Sequence, residues 1–197
     1  MSNLFMENTE SRDNLIEDSP DGHLSASHKN YITPDGHTRL MDEFLWLMNK
    51  ERPEITAIVS WAAGNGDRSE NGDYIYGKKR LREIDKRIHY LTKRLDIAEI
   101  VDPAIPREDE TQIFFGATVT FSGPDGRTET VSIVGVDEID TTKGFISWIS
   151  PMAKALIKSR QGDVVSFLTP AGVKEIEILE VKYKTISAEL FEPPTKR

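Results

Sequence analysis

Leu81, Ile84, Ile88, Leu91 and Leu95 recur along the chain at steps of 3, 4, 3 and 4, and the same rule carried backward reaches Gly77 and Tyr74. A repeat averaging 3.5 residues keeps a narrow stripe on one side of a helix, so this stretch predicts a helix with a coiled-coil seam. Upstream, Leu40, Phe44, Leu47 and Met48 precede Pro53, and Ile55, Ile58 and Val59 follow it, which supplies a partner of similar length. Pro53 has no N–H to donate, so a kink or a fresh first turn is expected there, without a change of direction. Gly64, Asn65 and Gly66 lie between the two helices and suit a reversal of the chain. The prediction is an antiparallel helical hairpin whose arms, of about 28 residues, extend ~40 Å. Such a hairpin encloses almost no interior. It is a finger whose tip is held far from the body.

After the polar linker "DPAIPREDETQ" the pattern changes. "IFFGATVTF", "TETVSIVGV", "VVSFLT" and "VKEIEILEVKY" alternate or run with β-branched residues, and "SGPDGR" and "TPAG" supply turns. A single short helix interrupts them, with Ser150 as N-cap and Pro151 at its first position. The fold class is therefore α+β: a tail over residues 1–31, an antiparallel coiled-coil hairpin over 32–101, a linker over 102–112, a small antiparallel sheet domain with one helix over 113–184, and a second tail over 185–197.

Composition narrows the functional classes. At 197 residues, 38% hydrophobic and 29% charged, the chain has room for one or two small domains with real cores. It has no apolar run long enough to span a membrane and no signal-peptide pattern at its start, so a cytoplasmic protein with no membrane partner is expected. With no cysteine there is no disulfide, thiolate nucleophile or Cys-based zinc site, and His23, His28, His37 and His89 share no spacing that would put two ligands on one helical face. The net charge of −8 is unevenly spread. The first 30 residues carry six acids (Glu7, Glu10, Asp13, Glu17, Asp18, Asp21) against Arg12 and Lys29, a composition that predicts no packed element. Residues 78–94 carry eight bases (Lys78, Lys79, Arg80, Arg82, Lys86, Arg87, Lys93, Arg94) against Glu83 and Asp85. That element reads either as a solvated helix face laced with ion pairs or as a contact for phosphates or an acidic partner.

The candidate chemistry sits at the tip, in "GDRSENGDY", where Asp67 and Glu70 stand three positions apart. As N-cap and third helical residue they form a capping-box pattern, in which each side chain satisfies backbone N–H groups. Alternatively Ser69 caps the helix and both carboxylates are left at the solvent end of the finger. Two carboxylates bind Mg²⁺ only weakly, because the ion wants six oxygens in octahedral array and takes the rest from phosphates or another protein. A tip of that kind would be half of an active site.

The run "RPEIT", "SWAAGNGDRSENGDYIYGKKRLREIDKRIHYLTKRL", "FFGATV", "IVGVDEID", "ISPMAKALIKSRQGDVVSFLTPAG" and "EILEVKY" closely resembles the bacterial Gre transcript cleavage factors, and "GDRSENGDYIYGKKRLREID" is closer to the GreB branch than to the GreA branch. The resemblance covers residues ~32 to 184, but neither the acidic start nor the last dozen residues. It implies a C-terminal FKBP-like domain that binds RNA polymerase and a coiled coil inserted into the polymerase secondary channel. The tip acids Asp67 and Glu70 would then stabilise a second Mg²⁺ and its attacking water beside the ion the polymerase already holds. On that resemblance a backtracked nascent RNA would be cut and its new 3′ end extended; the factor, a monomer with no cofactor of its own, would lend carboxylates to the polymerase's nuclease and would not itself be an enzyme. Carried over by position, Ser69, Asn71 and Tyr74 support the tip. Arg68, Lys78, Lys79, Arg80 and Arg82 become contacts for the extruded RNA, and Ile149, Ser150 and Pro151 stand where relatives dock on polymerase.

Two positions depart from the pattern that resemblance implies. Gly72 replaces the family's usual alanine, which, with Gly64 and Gly77, is expected to loosen the first turn of the second helix by about 1 kcal/mol per mid-helix glycine. Ile149 replaces a polar or acidic residue, which leaves the docking chemistry altered. Two other functions share the outline: a regulator that occupies the same channel without promoting cleavage, and a peptidyl-prolyl isomerase, for which the aromatics Phe114, Phe115, Phe121, Phe145, Trp148, Phe167 and Tyr183 show no identifying pattern.

Overall fold

The computed structural model describes residues 29–65, 68 and 70–194, and its first half is the expected hairpin. One limb runs through α1 (Pro34–Trp46), a π-helical turn (Leu47–Glu51) and α2 (Arg52–Gly64); the other is α3 (Gly72–Asp96), whose 25 residues span about 38 Å. Thr33 starts α1 by accepting from the Gly36 N–H at 3.1 Å, and Pro34 occupies the first turn, where no donor is needed.

The disturbance expected at Pro53 is a π-helical turn just before it. Arg52 donates its N–H back five residues to the Leu47 carbonyl, and Pro53 follows in the first turn of α2, so the missing donor breaks no regular ladder. The wide turn also resets the seam. Inward positions run Leu40, Phe44, Leu47, Glu51, Ile55, Val59 and Ala62, and three successive steps of four would carry an α-helical stripe off the interface unless one extra residue were absorbed. Two seam assignments are thereby corrected. Met48 and Ile58 are 42% and 46% exposed, and Glu51 occupies the inward position instead.

At Gly77 the two limbs approach closely. A Cβ built there would lie 2.5 Å from Cγ2 of Val59, a β-branched side chain with little freedom to turn aside. The expected loosening is therefore reversed at this residue, because its lack of a side chain is what lets the helices meet. Gly72 is the first residue of α3, outside the helix interior where glycine is costly. Ile32, Leu40, Leu47, Ile84 and Leu91 form the hairpin's buried cluster, gathered toward its base, each contributing on the order of 1.5–3 kcal/mol. At that base β1 (Asn30–Ile32) pairs in parallel with β2 (Ala98–Ile100), so residues 30 and 31, expected in the tail, belong to a strand. Three residues are too few to show alternation.

The second half is a five-stranded sheet in the order β5-β4-β3-β7-β6, built from β3 (Ala117–Ser122), β4 (Thr128–Val134), β5 (Phe145–Ser147), β6 (Val164–Thr169) and β7 (Gly172–Tyr183). The turn sequences join β3 to β4 and β6 to β7 as antiparallel hairpins. One correction concerns β5, which pairs with β4 in parallel, so the sheet is mixed at that edge. Alternating residues Val119, Phe121, Val131, Ile133, Ile176 and Ile178 pack under α4 (Pro151–Leu156), which buries Ala153 and Leu156. No helix among the described residues is long and apolar enough to cross a membrane.

Hairpin and sheet meet through a polar junction that the sequence pattern did not reveal. Arg94, 2% exposed, donates from Nε to Asp137 Oδ2 at 2.7 Å and from Nη2 to Asn30 Oδ1, while Asn30 Nδ2 donates to the Arg94 carbonyl at 2.9 Å. Tyr90 donates its hydroxyl proton to the other Asp137 oxygen, and Arg39 donates to the Asp137 carbonyl. The neighbouring Glu138, also buried, accepts from Thr33 N–H at 3.1 Å, from the Thr33 hydroxyl and from Gly135 N–H at 2.8 Å. A Cβ at Gly36 would fall on the Glu138 carboxylate, so the first turn of α1 can approach it only as glycine. Beside these bonds Tyr31 packs against Phe115 and Trp148, with ring centroids 5.6 and 5.3 Å away.

Gly77→Ala is expected to lower stability by about 1–2 kcal/mol in urea unfolding, although alanine favours an open helix by roughly 1 kcal/mol. Gly64→Ala, with nothing within 4 Å of the added carbon, is the control and gains stability; a loss of similar size in both variants would remove the close-packing account. The junction gives a pH prediction. Burial, then the bond to Asp137, push the Tyr90 hydroxyl up to about 12 from 10.0. The folded state keeps this proton after the unfolded state has lost it, so the contribution is complete below pH 10 and disappears as pH rises toward about 12. Unfolding followed across that window should show a fall in stability that is shallower in Tyr90→Phe.

Candidate functional site

The tip is organised by a residue that neither capping reading chose. Asn71 is the N-cap of α3: its Oδ1 accepts from Tyr74 N–H at 3.2 Å, and its Nδ2 crosses to the Ala62 carbonyl at 3.1 Å. The same carbonyl accepts from Asn65 N–H at 3.2 Å, so one oxygen in the last turn of α2 holds both ends of the connecting loop. Because α3 starts at Gly72, Glu70 precedes the cap and is exposed, and it is not the third residue of a capping box. Asp67 and Ser69 lie outside the described residues. Arg68 is exposed at the turn, and Tyr74 is half-buried with Lys78 Nζ 5.4 Å above its ring.

The basic stretch divides by position on α3. Arg80, Arg87 and Arg94 are spaced by seven and all face acids. Arg80 donates from Nε and Nη2 to Glu51 Oε1 at 2.8 and 2.6 Å and reaches Glu83 at 3.2 Å; Arg87 makes two bonds to Glu43; Arg94 is the junction residue. The bond to Glu51 raises the Arg80 guanidinium further above its usual value, and Glu43 does the same for Arg87. Lys78, Lys79, Arg82, Lys86 and Lys93 are exposed and form no ion pair among the described residues. Of the candidate RNA contacts, Arg80 is thus engaged within the hairpin, whereas Arg68, Lys78, Lys79 and Arg82 present their charge to solvent. Lys79, Lys86 and Lys93 are also seven apart, so the signal that could have separated the two sets is phase: Arg80, Arg87 and Arg94 each stand directly before a seam residue, Leu81, Ile88 and Leu95.

In the sheet domain, Ser150 caps α4 by accepting from Ala153 N–H at 3.2 Å, and Pro151 fills the first helical position. Ser150 is thereby committed to local structure, while Ile149, 42% exposed, and Pro151 both face outward. Two cavities of about 380 and 340 Å³ lie nearby and are lined largely by charged and hydroxyl side chains, with Phe145 as their aromatic member. That is unlike the aromatic pocket a proline isomerase needs. No cluster of three or more metal-ligating side chains occurs among the described residues, and the one described tip acid, Glu70, is a hard oxygen donor that suits Mg²⁺ completed by ligands from elsewhere.

Comparison with known proteins places both halves. A family model described as "Transcription elongation factor, N-terminal" matches residues 30–100, and one described as "Transcription elongation factor, GreA/GreB, C-term" matches residues 108–183. The chain is 62% identical over 160 residues to a transcription elongation factor GreB of Neisseria meningitidis serogroup B, covering 81% of this chain and 98% of the relative. It is 48% identical over 155 residues to the GreB of Yersinia pestis, covering 79% and 90%. Among solved structures, GreA factor homolog 1 of Thermus thermophilus is 27% identical, with 78% of this chain and 99% of that chain covered and a TM-score of 0.36.

Asn71→Ala removes both the cap and the cross-link to Ala62. It is expected to cost about 1–2 kcal/mol locally and to speed hydrogen exchange at the Tyr74 amide on the order of tenfold. Asn71→Asp keeps the acceptor and should lie between. Unchanged exchange in Asn71→Ala would mean that the loop is held by other contacts.

Proposed function

The chain belongs to the GreA/GreB family of transcription elongation factors, and on that premise we propose that it acts in the cytoplasm, as a monomer, on a backtracked RNA polymerase. Its sheet domain docks on the enzyme, its hairpin enters the secondary channel, and its tip stimulates endonucleolytic cleavage of the nascent RNA near the 3′ end. The observation that carries this reading is the exposure of Glu70 ahead of the Asn71 cap: helix initiation uses the asparagine and leaves the acid unspent.

The roles follow from position. Asp67 and Glu70 would hold a Mg²⁺ shared with the polymerase, which in two-metal hydrolysis supplies an activated water and offsets charge at the scissile phosphate. Asn71 and Tyr74 fix where α3 begins and hence where Glu70 stands. Lys78, Lys79 and Arg82 offer charge to the extruded strand, and their contribution would weaken with salt as phosphate contacts do. Arg80 acts through Glu51 to keep the limbs together. Ile149 gives docking an apolar component.

The deciding experiment follows Mg²⁺-dependent release of short 3′ fragments from a backtracked elongation complex carrying labelled RNA. The wild-type protein should accelerate cleavage, and Asp67→Ala and Glu70→Ala should each lose about 10²-fold, the scale of removing one preorganised charge-stabilising group, with polymerase binding kept. A wild type that binds and accelerates nothing would identify a channel-occupying regulator that does not promote cleavage.

A further inference from the structure

The segment after β7 lies beyond the region the family models match, and it was expected to be a tail. It is instead attached at three points. Ile186, in no strand or helix, is 5% exposed. Glu189 pairs with Lys143 at 2.7 Å, on the loop that leads into β5. Phe191 packs its ring against Trp46, the last residue of α1, with centroids 5.6 Å apart at 52°.

These contacts bridge the two halves of the molecule. Lys184 to Ser187 run beside the hydroxyl face of the sheet, where Thr118 and Ser132 bond to each other at 2.9 Å. From there the segment borders the 380 Å³ cavity, lined on the hairpin side by Arg39, and reaches the hairpin at Trp46. From Tyr183 to Phe191 is eight residues, long enough at ~3.3 Å each to span about 26 Å.

We propose that residues 184–194 are a brace that fixes the tilt of the hairpin against the sheet domain, with Ile186, Glu189 and Phe191 as positioning residues for the tip. The junction at Asp137 and Glu138 holds the hairpin at its base, near Thr33 and Arg94. Held at one end alone, a rod can rock about that end. Trp46 lies about 18 Å further along the limb, so a second attachment there resists rocking with a substantial lever arm. The tip is about 45 Å from the base, and a tilt of about 10° would move it by ~8 Å, far more than the ~1 Å within which reacting groups must be placed. The link to catalysis rests on the function proposed above; the mechanical role does not.

The test exploits the cysteine-free sequence. Spin labels at Lys86→Cys on α3 and Arg127→Cys on the β3–β4 turn report the distance between the halves in the full chain. The wild type should give one narrow distribution. Phe191→Ala and Glu189→Lys should each broaden it about twofold, Phe191→Tyr should restore it, and Trp46→Ala should broaden it without adding to Phe191→Ala, because the two rings form one contact. Cleavage at saturating Phe191→Ala should fall several-fold while the half-saturating concentration stays near that of wild type, since Ile149 is untouched. A distribution as narrow in Phe191→Ala and Glu189→Lys as in wild type overturns the brace. If the wild type stimulates no cleavage, the proposed function fails, and the distances alone still decide the brace.

Discussion

The ion pair between Arg94 and Asp137, buried where the helical hairpin meets the sheet, sets the geometry on which everything else depends. Taking both charges out of water costs several kcal/mol per ion, and their mutual attraction returns little more than that cost, so the pair adds little net stability. Its effect is directional. Asp137 receives Arg94 on one oxygen and Tyr90 on the other, and Glu138 beside it receives Thr33 and Gly135. Each bond requires a particular angle, and sliding the finger would leave a buried carboxylate unpaired, a far larger penalty than the pair's own worth.

The same requirement explains how a strongly basic helix belongs to an acidic protein. Arg80, Arg87 and Arg94 stand seven apart, the spacing that returns to one edge of a coiled coil, and each meets an acid there: Glu51, Glu43 and Asp137. The first two pairs are half-open to solvent and the third, at the base, is the buried junction. The lysines and Arg82 lie off this edge and stay exposed. One stretch of sequence thus does two jobs separated by angle: arginine, with its planar fork, takes the fixed pairs, and lysine supplies most of the open charge.

Much of this architecture was legible. The 3-4 repeat from Leu81 to Leu95 and the turn sequences around the strands report local preferences and side-chain alternation, which a linear pattern records directly. The same holds for Ser150 before Pro151, which caps α4. What escaped notice depends on partners distant in sequence. Glu138 looks like any surface acid in "VGVDEID" until Thr33, 105 residues away, is brought to it. The π-helical turn moved Ile58 outward because one added residue rotates everything after it, and residue types alone do not register a rotation. At the tip, "DRSEN" offered several side chains able to cap; the second bond from Asn71 to Ala62 favours the asparagine, and that bond exists only once the limbs are antiparallel.

An acid left outside its helix is a liability for stability and an asset only in company. Inside the first turn Glu70 would have met unsatisfied N–H groups and contributed several tenths of a kcal/mol to the helix. Placed one residue before the cap it gives up most of that, and alone in water it holds Mg²⁺ weakly. A complete site on the finger would bind metal and hydrolyse phosphodiesters wherever it diffused. An incomplete one stays silent until another protein supplies the remaining ligands, so reactivity is confined to the place where the finger fits. On the proposed function, that confinement would give the polar junction, the close approach at Gly77 and the proposed brace a common physical rationale: a site divided between two proteins works only if the distance from docking surface to tip is the same each time they meet.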